Sequence, residues 1–260
     1  MVGALTGLGG GVIIIPMLTL VFGVDIHYAI GASLISVIAT SSGAAASYVR
    51  EGFSNIRIGI FLEIATSMGA ITGAFLAVYA PTHLIAILFG FVLLVSAGLS
   101  FRRSEENIPA KPSGKLARWL KVNSNYPSPE GMIDYSVKNI PGGFVMMLMA
   151  GIVSGLLGIG SGALKVIAMD NIMKLPFKVS TATSNFMIGV TASASAGVYL
   201  ARGYIDPVLC LAVVLGVLAG ALLGSKYLIK FPIKILRIIF AIVIVFLALE
   251  MIYNGLSGKL

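Results

Sequence analysis

Charge is scarce in this chain and cysteine is nearly absent. Of its 260 residues, 11% are Asp, Glu, Lys or Arg, against about 25% in soluble globular chains. Cys210 has no second thiol to pair with, so no intrachain disulfide is possible. His27 and His83 read as solvated residues of short loops. No group of His, Cys and carboxylates has metal-site spacing, and no Ser/His/Asp or Cys/His set stands out. The chain therefore reads as no enzyme, with no cofactor and no metal. No run of short segments alternates apolar and polar residues, which excludes a lipid-spanning β-barrel. No basic stretch precedes the first apolar run, so residues 1–24 read as membrane body rather than a cleavable leader.

What the chain does have is apolar length. It is 58% hydrophobic with mean hydropathy +1.00. The apolar residues fall in blocks at 1–24, 28–49, 58–80, 82–101, 141–173, 179–200, 207–229 and 235–253. Most are near 20 residues, the length that crosses about 30 Å of hydrocarbon as helix. The pattern predicts an all-α polytopic membrane protein, embedded in a lipid bilayer. The net charge of +8 does not point to nucleic acid, because Lys and Arg collect in loops beside the spans, as cytoplasmic loops do.

One long polar break, 102–140, holds Pro109, Pro112, Pro127 and Pro129 and many charges. It separates two copies of one unit. GLGGGVII at residues 7–14 returns as GIGSGALK at 158–165, an offset of 151. The same offset pairs Ser33 with Ser184, Thr40 with Thr191, Ser42 with Ser193 and Tyr48 with Tyr199. It also pairs Gly52 with Gly203, Gly69 with Gly220, Gly73 with Gly224 and Pro81 with Pro232. The expected organisation is a repeat over 1–101, a linker over 102–140 and a second repeat over 141–260. Duplicated carriers commonly hold substrate at the repeat interface near midplane. Copy two has an apolar arm, beginning near Pro141, ahead of its glycine cluster. The matching arm of copy one would start upstream of Met1, which predicts either a truncated first element or a native start upstream.

Residues 142–173 are too long for one straight crossing and too short for two. Glycine disfavours continuous helix, so the segment reads as a hairpin or as one helix broken at 158–162. Charge counting separates the two. With four crossings per unit, eleven Lys and Arg fall on one side and six on the other. With a re-entrant glycine segment each unit crosses three times, the second copy is inverted, and the count becomes fifteen against two. The positive-inside rule favours the second arrangement. It predicts inverted repeats, a cytoplasmic 102–140 linker and an extracytoplasmic C-terminus. Within the linker, residues 113–122 (SGKLARWLKV) read either as a helix lying in the membrane interface, capped by Ser113, or as a solvated segment.

The glycine clusters carry the candidate chemistry. A bend between half-helices frees N–H groups, presents no Cβ to block approach, and adds the positive end of a helix. That is an anion site. The candidate substrate-binding residues are Gly7, Gly9, Gly10 and Gly11 in copy one and Gly158, Gly160, Ser161 and Gly162 in copy two. Small residues also serve tight helix packing; the duplication favours a site. A P-loop is excluded because Ala163, not Lys, follows Gly162. Lys165 stands where copy one has Ile14; a lysine at this depth is costly, and serves an anion, snorkels, or pairs with Asp170. Ser33, Thr183, Ser184 and Asn185 open the following spans and offer hydroxyl and amide donors, although such side chains often bond their own helix. Glu63 and Asp170 are candidate proton-coupling carboxylates, whereas Glu250 lies near a span end.

The pattern GLGGGVIIIPML at 7–18, AIGASL at 29–34, then Tyr48 and Gly52, repeated as GIGSGALKVIAM, STATSN at 180–185, Tyr199 and Gly203, resembles the TauE/SafE sulfite-exporter-like family of membrane permeases. The resemblance covers nearly the whole chain outside 102–140. It implies a secondary transporter in the cell (inner) membrane for sulfite, organosulfonates or related small anions, often exporting, with both glycine motifs and the polar residues after them lining the path. Protons are a candidate coupling ion. Ser161, Ile167 and Lys165 depart from the family pattern, and the added lysine favours a more highly charged anion or one with a further carboxylate. An anion channel and a membrane scaffold without transport activity are the alternatives.

Overall fold

The computed structural model describes residues 10–100, 115–120, 122–128, 131–228 and 233–258. Gly7, Gly9, Ser113 and the first part of the linker lie outside them. Helix α1 (Gly11–Pro16) runs directly into a π-helical turn (Met17–Val21), followed by α2 (Ile26–Arg50), α3 (Ile56–Tyr79) and α4 (Thr82–Ser100). The linker region contributes α5 (Lys115–Trp119) and strands β1 (Ser124–Ser128) and β2 (Gly131–Tyr135). Then come α6 (Ile140–Leu157), α7 (Gly162–Ile167) with a second π turn (Ala168–Ile172), α8 (Phe177–Ala201), α9 (Pro207–Leu228) and α10 (Ile233–Leu256).

Elements after the linker repeat those before it at the offset of 151, down to the backbone. Both α1 and α7 have six residues and a five-residue π turn behind them. The chain then turns through Gly23 (φ 64°) in one copy and Lys174 (φ 60°) in the other. Val24 N–H donates to Leu18 O at 2.9 Å, and Leu175 N–H to Met169 O at 2.9 Å. Gly52 (φ 78°) and Gly203 (φ 77°) end the next helices alike. Contacts between the copies are reciprocal: α2 packs on α8 and α4 on α10, each against its own counterpart, while α3 meets α8 as α9 meets α2.

Among the described residues three helices, α2, α3 and α6, are long and apolar enough to cross a membrane, and shorter apolar runs lie in α1, α4, α9 and α10. Along α3, Ile60, Ile64, Met68, Phe75 and Leu76 face outward. Such a continuous apolar face suits lipid rather than water. The inward face of α3 is glycine. Gly69 and Gly73 lie against the backbone of Leu148 and Ile152, and Gly151 and Gly155 of α6 lie against Thr66 O and Ala70 O. Two small-xxx-small faces thus meet backbone to backbone.

Helix α6 and the short arm α7 form a hairpin. Asn139 (φ 41°) starts α6, its side chain accepting from Gly142 N–H. Gly158, Gly160 and Ser161 all have positive φ, at 66°, 74° and 42°, and end it. The two ends of the hairpin are neighbours: Lys138 N–H donates to Met173 O at 2.9 Å, and Gly143 has no room for a side chain beside Met173. A hairpin rather than a straight broken helix is therefore present. Its first arm has 18 residues, more than a half-crossing, because glycines at 142, 143, 151 and 155 serve packing and do not interrupt the helix.

The linker departs from all-α. Strands β1 and β2 pair antiparallel, Ser124 opposite Tyr135, where the sequence pointed to no strand. Pro127 is tolerated because this is a two-stranded ribbon with free edges. Tyr126 and Tyr135 are buried in a cluster with Ile58, Leu62, Met173 and Val179, so the hairpin is part of the core. Asn55 pins it: its Oδ1 accepts from Ile58 N–H to cap α3, and its Nδ2 donates to Val122 O at 2.7 Å and to the Tyr135 hydroxyl at 2.8 Å. Burial pushes the Tyr135 phenol up to about 12, against the opposing hydrogen bonds of Asn55 and Ser124. The helix expected over 113–122 is described only as Lys115–Trp119. Leu116 and Trp119 are exposed on it while Ala117 faces the core.

Candidate functional site

The start of α1 meets the bend at 158–162. A side chain at Gly11 would collide with Ser33 Oγ and with Gly158 O, so the first residues of α1 lie directly against that bend. Gly10 and Ser161 stand at the N-caps of α1 and α7, and neither cap position makes a side-chain cap bond. The opening N–H groups of a helix have no intrahelical acceptor, so both short arms begin with donors beside this contact. Ser33 donates to Gly158 O at 2.9 Å, from copy one into copy two. Its counterpart Ser184 donates to Gly162 O at 3.2 Å. The Ser161 hydroxyl is 3% exposed and has no partner. The bend at 158–162 is closed over: its residues are all buried, with Ile30 against Gly158 and Ile188 against Gly160.

Lys165 is wholly buried. It does not snorkel: its ammonium donates to Thr191 Oγ1 on α8. Thr191 Oγ1 lies 2.7 Å from Glu63 Oε1 on α3 and donates to it. Ser67 Oγ donates to the same carboxylate oxygen at 3.0 Å. The other oxygen, Glu63 Oε2, is buried without a partner. A cation from copy two and a carboxylate from copy one are thus joined through one hydroxyl. Spacing along the sequence gave no sign of this, since the three residues lie on three elements.

Other expected residues sit differently. Thr183 accepts from Asn55 N–H at 3.0 Å and so braces the linker side of α8. Asn185 donates to Thr181 O in its own helix. Asp170 lies half-buried in the second π turn. His27 is buried rather than solvated: Nε2 lies 3.1 Å from Ala77 O, and the ring stacks on Tyr204 at 4.9 Å. A cleft of about 260 Å³ lies at the β-hairpin, lined by Asn123, Ser124, Asn125, Asp134 and Tyr135. The Asp134 carboxylate makes it unfavourable for an anion. Among the described residues no group of His, Cys, Asp and Glu has the arrangement of a metal site.

Comparison with known proteins gives one family. The sequence model described as Sulfite exporter TauE/SafE matches residues 1–251. The chain is 28% identical to the "Probable membrane transporter protein YunE" of Bacillus subtilis (strain 168), over 98% of this chain and 94% of that one. It is 28% identical to "Probable membrane transporter protein YdhB" of the same organism, over 89% and 86%. It is 25% identical to "Probable membrane transporter protein ORF9" of Sinorhizobium sp, over 94% and 85%. No solved structure matches.

Proposed function

The chain belongs to the Sulfite exporter TauE/SafE family and is a multi-pass membrane transporter; from that premise we propose that it is a secondary carrier, working as an exporter, of small sulfur-containing anions such as sulfite or organosulfonates. The anion is held where the two glycine bends meet. The observation that carries this reading is the direct contact of Gly11 with Gly158 O, with a fully buried lysine on the arm that follows the bend. Helix-start donors, the unpartnered Ser161 hydroxyl and the Lys165 ammonium together make a site for negative charge. The halves are inverted repeats, 1–101 and 141–260. The joined ends of the α6–α7 hairpin support this, because a re-entrant segment leaves three crossings per unit. The chain lies in the cell (inner) membrane, with the 102–140 linker in the cytoplasm and the C-terminus outside.

The closed packing of the bend at 158–162 favours a carrier over an open channel. A substrate reaches it only when the halves part, which is what alternating access requires. Purified protein in liposomes tests this. Labelled sulfite or methanesulfonate should enter, and unlabelled anion inside should accelerate entry of the label. Uptake without trans-stimulation would make the protein a channel, and no anion movement would leave the scaffold reading.

A further inference from the structure

We propose that Glu63, Thr191 and Lys165 form a counter-charge relay that makes the carrier move one proton together with each singly charged sulfonate. This rests on the anion-carrier reading but not on its export direction, since an anion that moves with a proton follows the proton gradient, and it adds the coupling ion. The resting site is neutral: the buried Lys165 ammonium is balanced, through Thr191, by the Glu63 carboxylate. An uncompensated charge within hydrocarbon is expensive. An anion arriving at Lys165 would leave the pair with one negative charge too many. The group able to remove that excess is Glu63. It is 7% exposed, and its Oε2 is buried and partnerless, so it has an open position for a proton. A proton from the aqueous phase forms an O–H bond at Oε2, the carboxylate becomes neutral, and nothing else leaves. Lys165 then serves the anion alone. Release of the anion on the far side returns Lys165 to Thr191 and expels the proton from Glu63.

Other ionisable groups do not offer the same balance. Helix α6, packed on α3, has none. Helix α8 brings Lys178 in its first turn and Tyr199 near its end, and the short arm brings Asp170 besides Lys165. Tyr199 is committed to Gly155 O at 3.3 Å. On α3 itself Arg57 stands in the first turn. Thr191 is the positioning residue: its oxygen accepts from Lys165, and its one hydroxyl hydrogen has Glu63 Oε1 at 2.7 Å and Met187 O of its own helix at 2.9 Å as acceptors.

The test uses wild-type protein in liposomes holding a pH dye, with labelled methanesulfonate, whose charge is fixed near neutral pH. Proton and anion entry should match at about one to one, and an inward proton gradient should drive accumulation. In Glu63→Gln the ratio of uptake with and without the gradient should fall to about one. Thr191→Val should reduce that ratio, and Thr191→Ser should restore it. Anion entry without protons in wild type would overturn the relay while leaving the carrier reading intact. So would a gradient response in Glu63→Gln equal to wild type. Wild-type vesicles that pass neither methanesulfonate nor sulfite would overturn the carrier reading, and the relay with it. The wild-type stoichiometry decides the matter independently of how any variant folds.

Discussion

The two halves present the same three framework positions and fill them differently. In copy two the arm after the bend carries Lys165, and α8 carries Thr191; the third position is Glu63 on α3 of copy one. The equivalent set is Ile14, Thr40 and Val214. Thr191 links a cation to a carboxylate, whereas Thr40 has only its own helix, bonding Ser36 O and Val37 O. The duplicated backbone builds two equivalent short arms. Among the described residues, Lys165 and Glu63 are joined only at the arm of copy two.

Packing shows the same asymmetry and gives the largest expected effect. Gly69 lies against the α6 backbone, while its counterpart Gly220 has nothing within 4 Å among the described residues. Gly69→Ala forces apart two helices in backbone contact and should cost about 3 kcal/mol, the upper end for overpacking. Gly220→Ala should stabilise by up to about 1 kcal/mol, the propensity difference in a helix. Thermal unfolding in detergent measures both. Equal costs at the two positions would mean that Gly220 is packed in the membrane.

Next in size is the charge itself. Lys165→Ala should weaken sulfite binding by about tenfold or more, the factor equal to about 1.4 kcal/mol. Lys165→Arg should lose less, and Ile14→Ala should change affinity little. Ligand-dependent thermal shift reads this, since an anion that binds only the folded state raises its midpoint. Equal shifts for wild type and Lys165→Ala would remove Lys165 from the site.

A smaller difference sharpens the comparison at the linker. Asn55 and Asp206 occupy equivalent caps. Asp206 is exposed and accepts from Val208 N–H at 2.7 Å and Leu209 N–H at 3.2 Å. Asn55 caps α3 and also donates to the linker at Val122 and Tyr135. Asn55→Asp keeps an acceptor for the cap, loses those donors, and should cost about 1–3 kcal/mol. Asp206→Asn should stay within about 0.5 kcal/mol. A reporter fused to the C-terminus checks the orientation: an extracytoplasmic signal agrees with inverted repeats, and a cytoplasmic one contradicts them.

Much of the framework was legible because lipid imposes it. Apolar blocks at 28–49, 58–80 and 179–200 became α2, α3 and α8 with ends displaced by only a few residues, since crossing length and polar breaks leave little choice. The 151-residue offset carried over into backbone detail because glycine at 52 and 203 marks positive φ directly. The linker hairpin was not legible: its stability comes from Tyr126 and Tyr135 reaching a core made by distant helices, which no local pattern announces. Lys165 and Glu63 each stood out as misplaced charges. Their link through Thr191 did not, because it depends on three helices meeting, and a threonine in an apolar helix ordinarily bonds its own backbone.

The central claim is that an anion sits between the bends of both halves. A crystal structure with 2-bromoethanesulfonate, its bromine located by anomalous scattering, tests it most directly. The account predicts one site between Gly11 and residues 158–162, with the sulfonate within reach of Lys165. A bromine peak elsewhere in the protein, with the Gly11–Gly158 contact still closed, would contradict it.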